Sequence, residues 1–116
     1  MEDDWKERAK REAREAEEAF RRERAALPGE TTFIQFVEGL AAGALVALGE
    51  AENPVDGRKR SDPAQAKQII DILGMLQEKT KGNLNDEEEA FLKGLLTELR
   101  LKFVRLWENV SKGGTK

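Results

Sequence analysis

The sequence has 116 residues and a mass of 13.0 kDa, which suffices for one compact domain and leaves no room for a second independent core. It carries 20 basic and 23 acidic residues, a formal net charge of -3, and neither cysteine nor histidine. A chain without these two residue types has no disulfide framework, thiol nucleophile, ordinary zinc site or histidine proton shuttle. The near-neutral charge also argues against a general nucleic-acid binder.

The N-terminal residues, MEDDWKERAK, are acidic and polar, unlike the apolar segment of a secretory leader. The longest apolar stretch, residues 39–49, covers only half of the roughly 20 residues that a membrane-spanning helix needs. We therefore expect a cytoplasmic protein without a membrane partner, and the absence of cysteine fits a reducing compartment.

Residues 1–30 are predicted to form a charged helical arm that ends before Pro28-Gly29. Residues 2–27 are rich in Glu, Arg, Lys and Ala, which favour helix, and acid–base pairs such as Glu17–Arg21 recur at helical spacing. Apolar positions are few and mostly alanine, so this helix can bury little surface. Two interpretations stay open: a flexible charged extension, or a weak coiled-coil or docking arm.

A second helix is predicted to begin at Thr32, which forms a capping-box pattern with Gln35, and to end at Gly49. A glycine inside a helix costs about 1 kcal/mol relative to alanine, and close approach of another helix compensates that cost. We expect such an approach either within the chain or across a subunit interface. The small residues that would permit it recur at every fourth position: Gly39, Gly43 and Ala47.

The loop over residues 50–61 contains the turn dipeptides Asn53-Pro54 and Asp56-Gly57. It also holds a basic triplet, Arg58, Lys59 and Arg60. The default interpretation is a solvated loop, and the alternative is a phosphate or nucleic-acid contact.

The third and fourth helices have clear start signals. For the third helix, Asp62 is the predicted N-cap, Pro63 is the first helical residue, and Gly82 is the predicted stop. For the fourth helix, Asn85 is the predicted N-cap. Residues 111–116 are predicted to be a disordered tail. The fourth helix carries apolar residues in alternating steps of four and three, a heptad seam: Leu92, Leu96, Leu99, Phe103, Leu106 and Val110.

These patterns predict an all-α fold, because no segment shows the period-two alternation of a β-strand. We expect a small bundle of three amphipathic helices over residues 31–110, with the additional charged N-terminal helix. Three helices of this size cannot hide every apolar residue of the second and fourth, which predicts a homo-oligomer, most simply a two-fold dimer. The predicted interface combines residues of those two helices: Phe36, Gly39, Leu40, Gly43, Ala47, Leu99, Phe103 and Leu106.

The run from Ile70 to Leu84, IDILGMLQEKTKGNL, is distinctive, and its EKTKGNL part is the most specific. Together with residues 33–49, Glu52-Asn53-Pro54 and residues 99–104, it resembles the bacterial family called domain of unknown function 1844, over about residues 33–104. The resemblance implies a small soluble helical protein. It brings no established activity, catalytic residue or cofactor.

Lys79, Lys81 and Asn83 lie in the distinctive run, and with the basic triplet they form the predicted polar interaction surface. The alternative is that the run is an ordinary helix stop and turn. The leading hypothesis for function is a non-enzymatic oligomerisation or protein-interaction module with an unidentified protein partner. The alternative is an RNA- or ribosome-associated accessory factor. No catalytic residue, metal ligand or cofactor is predicted.

Overall fold

The computed structural model describes residues 2–27 and 29–112 and confirms the all-α fold class. The chain divides into two compact units between Glu30 and Thr31, the first holding one helix and the second holding three. Within the described residues the helices are α1 (Glu2–Arg24), α2 (Phe33–Ala47), α3 (Pro63–Lys79) and α4 (Asp86–Ser111).

The first unit contains α1, a helix of 23 residues. The predicted pair of Glu17 and Arg21 is present, with 3.8 Å between Oε2 and Nη2, and both side chains are largely exposed. Such a pair stabilises an exposed helix by only about 0.3–0.5 kcal/mol. Trp5 and Phe20 on the same helix are also exposed.

The predicted start of α2 is confirmed. The amide of Gln35 donates to Thr32 Oγ1 at 3.1 Å, and the amide of Thr32 donates to Gln35 Oε1 at 3.3 Å, which completes the capping box. The helix ends at Ala47, and Gly49 adopts φ +80°, a left-handed conformation that glycine tolerates.

The predicted N-caps of α3 and α4 are also confirmed. Asp62 Oδ1 accepts from the amide of Gln65 at 3.2 Å. Asn85 and Glu88 form a reciprocal capping box with bonds of 2.8 and 3.0 Å.

The C-terminal boundary differs from the prediction. Ser111, predicted to belong to a disordered tail, is the last residue of α4, so the helix is longer than expected. Residues 113–116, the rest of that predicted tail, lie outside the described residues.

The core of the second unit lies where α2, α3 and α4 pack against one another. Leu92, Leu96 and Leu99 of α4 are at most 1% exposed, and Leu73 of α3 is fully buried. Farther along the heptad seam, the side chains are only half-buried: Phe103, Leu106 and Val110. Phe103 lies in an open groove whose other wall is the first turn of α3, so α3 covers it only partly.

Candidate interaction surface

The predicted interface residues near the start of α2 lie partly at the surface. Phe36 is 49% exposed. Gly39 is exposed, and a Cβ built on it would meet nothing within 4 Å. Leu40 is half-buried and packs against the core. Phe36 and Gly39 are therefore accessible to another molecule, whereas much of Leu40 is used inside the bundle.

The two remaining small residues of α2 pack within the chain. A Cβ built on Gly43 would lie 3.5 Å from Ile69 Cδ1 of α3, and Ala47 is only 5% exposed. The small side chains thus let α2 approach α3 within the same chain, one of the two alternatives that their spacing predicts.

The predicted interface residues of α4 lie in the core or pack against it. Leu99 belongs to the buried core, and Phe103 and Leu106 are half-buried against it. The more accessible residues of α4 were not among the predicted site residues, and we call them the α4 outer face: Leu101, Val104 and Trp107, which are 53%, 49% and 51% exposed.

An apolar groove lies beside this outer face, between α3 and α4. One part has a volume of about 430 Å³ and another about 400 Å³, and Lys67 and Phe103 line both. The rings of Phe103 and Trp107 are nearly parallel, 7° apart, with centroids separated by 6.4 Å. Lys67 Nζ lies 2.6 Å from Asp71 Oδ2, which balances the charge at the groove wall. The outer face and the groove therefore form one continuous, largely apolar surface.

The predicted polar surface is not one surface. The basic triplet 58–60 is exposed in the loop before α3. At the other end, Lys79 is the exposed last residue of α3, and Lys81 and Asn83 are exposed in the turn that follows. The 17 residues of α3 separate the two groups by about 25 Å.

Acidic residues contact the basic triplet and lie close in sequence to Lys79 and Lys81. Asp56 pairs with the Arg60 guanidinium, and its other carboxylate oxygen accepts from the Arg58 amide at 3.0 Å. Four consecutive acidic residues, 86–89, occupy the first turn of α4 close in sequence to Lys79 and Lys81. This arrangement provides no concentrated positive patch for a phosphate backbone, so the nucleic-acid alternative stays a prediction.

The described residues contain neither a cluster of metal-ligating side chains nor a helix able to span a membrane. Over residues 2–27 and 29–112, no group of three or more acidic side chains is placed to hold a metal ion. None of the helices described there combines the length and apolar character needed to cross a membrane.

Comparison with known proteins places the second unit in a family. The model of a domain of unknown function, DUF1844, matches residues 30–105, which include α2, α3 and most of α4. Neither the curated proteins nor the solved structures give a match to this chain. The family match covers more than half of the 116 residues and agrees with the resemblance seen over residues 33–104. The chain therefore belongs to the DUF1844 family.

Proposed function

We propose that this chain is a non-enzymatic oligomerisation module that forms a homodimer through the C-terminal half of α4. The observation that carries the proposal is the half-exposure of Leu101, Val104 and Trp107 beside an apolar groove. Burying a large apolar side chain fully contributes about 1.5–3 kcal/mol of free energy. A half-exposed side chain can therefore still gain a substantial part of that free energy when another molecule covers it. A contiguous apolar surface of this kind is typical of a protein-interaction site.

A binding role also fits the chemistry of the chain. It lacks the cysteine and histidine side chains that most often serve as nucleophile and general base. We also propose a cytoplasmic location, because a chain without cysteine does not use the disulfide bonds that an oxidising compartment allows.

Sedimentation equilibrium of the purified full chain over a concentration series tests the proposal. We expect the average mass to rise from the 13.0 kDa of one chain toward twice that value, about 26 kDa. The mass should persist at high salt and after nuclease treatment, because apolar contacts are not screened by ions. A mass of one chain at every concentration would contradict the proposal. A complex that dissociates on nuclease treatment would instead support the RNA-associated alternative.

A further inference from the structure

The outer face of α4 carries a second heptad pattern, which we call the outer stripe. Its members recur in alternating steps of three and four, and all are exposed: Gly94, Thr97, Leu101, Val104 and Glu108. At about 100° per residue, Leu101 points away from Leu92 in the buried core. Leu101 therefore faces away from the core, and Val104 borders the groove beside α3.

Charged and aromatic residues flank the outer stripe in a specific order. Glu98 and Arg105 lie on one side, seven residues apart, and Arg100 and Trp107 lie on the other with the same spacing. The nearby Lys102 binds Glu50 at 3.1 Å and is 4.0 Å from Glu98. The Glu98 side chain remains 64% exposed, so its carboxylate is accessible to a cation from another molecule.

Given the self-association proposed above, we infer that two copies of the chain pair their outer stripes in antiparallel orientation, with the two-fold axis level with Lys102 and Phe103. In this register Leu101 packs against Val104 of the partner subunit. In an antiparallel helix pair, equivalent flanking positions face each other. Glu98 then faces Arg105 of the partner subunit, and Arg100 faces Trp107 of the partner subunit. The two-fold axis produces each contact twice.

The charges disfavour the other arrangements of the same stripe. An antiparallel register shifted by one heptad places Glu98 opposite Glu98 of the partner subunit. It also places Arg100 opposite Arg100 of the partner subunit. A parallel pair places Arg100 opposite Arg105, a repulsion that its Lys93–Glu98 contact offsets, and it brings the two copies of Glu108 together in the stripe. Like charges at facing positions oppose pairing, whereas the inferred register has an opposite charge facing Glu98 and an aromatic ring facing Arg100.

The groove beside α4 is compatible with this register. Trp107 lines the groove together with Lys67. In the single chain the Arg100 guanidinium lies against α3 beside Gly74 and lines the same groove. In the dimer it would turn away from α3 to approach the Trp107 ring of the partner subunit. The Lys67 ammonium is already paired with Asp71 at 2.6 Å, which reduces its repulsion of a second cation.

Charge reversal on the full chain tests the inference. We expect Glu98→Arg and Arg105→Glu each to raise the dimer dissociation constant about tenfold, because two attractive pairs become two repulsive ones. The double variant restores both pairs with reversed polarity and should return to within about threefold of the original value. An equal mixture of the two single variants should form a heterodimer for the same reason. All the changed positions are exposed, and circular dichroism checks that α4 still forms.

Lys93→Glu is the matched control. Lys93 is an exposed cation of α4 on the same side as Arg100, but in the inferred register no residue of the partner's α4 lies opposite it. Its reversal should leave the dissociation constant unchanged. In a parallel pair, by contrast, Lys93 would face Glu98 of the partner subunit, and its reversal would weaken assembly.

The outcomes separate this inference from the proposed function. A wild-type chain that stays monomeric contradicts both. A dimer that tolerates both single reversals, or that Arg105→Glu strengthens, overturns the antiparallel register while leaving self-association intact.

Discussion

Replacing Leu73 by alanine is expected to lower the free energy of unfolding of the second unit by about 2–5 kcal/mol. Leu73 is fully buried in α3, which packs against both α2 and α4. Removing its side chain leaves a cavity in the core that α2, α3 and α4 share, and the surrounding structure can close it only partly. Because small domains are stable by only about 5–15 kcal/mol, this loss is a large fraction of the total.

Urea unfolding followed by circular dichroism measures this effect. Met75→Ala is the matched control, since Met75 lies two residues away on α3 and is 52% exposed. Its truncation should cost about 1 kcal/mol or less. Equal losses for the two variants would show that Leu73 does not lie at the centre of the packing.

The second large effect concerns assembly. Val104→Glu is expected to raise the dimer dissociation constant roughly 100-fold, because it removes an apolar contact and places a charge in the interface. Val104 is 49% exposed in the single chain, so the same change should have little effect on its folding. Sedimentation equilibrium measures the dissociation constant directly.

Val55→Glu is the control for that change. Val55 lies in the loop before α3, is 90% exposed, and belongs neither to the α4 outer face nor to the outer stripe. The two variants have the same composition and net charge. If both weaken assembly equally, net charge rather than the outer face governs association, and the assignment of the interface to α4 is wrong.

Sequence was sufficient to predict the helix starts because capping is local. Each capping box joins two residues only three positions apart, Thr32 with Gln35 and Asn85 with Glu88. These hydrogen bonds form without any distant contact. The same holds for Gly49, which directly follows the C-cap Leu48 and adopts the positive φ that glycine tolerates at that position.

The extent of burial along α4 could not be read from sequence in the same way. The heptad seam continues without interruption to Val110, yet full burial stops at Leu99, and Phe103 beyond it is only partly covered in the open groove between α3 and α4. Similarly, the spacing of Gly43 predicts close helix packing but not whether the other helix belongs to the same chain. The contact with Ile69 is a property of the tertiary arrangement.

The outer stripe was also difficult to recognise in the sequence. Only Leu101 and Val104 among its members are large and apolar, so its periodicity is weaker than that of the core seam. Its significance depends on exposure, which the fold determines. A sequence likewise does not show that α3 holds the two basic groups at its opposite ends.

The most direct test of pairing through α4 is an inter-subunit distance measured by dipolar coupling between spin labels. Lys93→Cys introduces the sole cysteine of the chain at an exposed position of α4 outside the inferred contact. Antiparallel pairing about the level of Lys102 and Phe103 places the two labels about 30 Å apart. A separation below about 20 Å, as expected for adjacent parallel helices, would contradict the antiparallel arrangement. The absence of any coupling at high protein concentration would contradict self-association through α4.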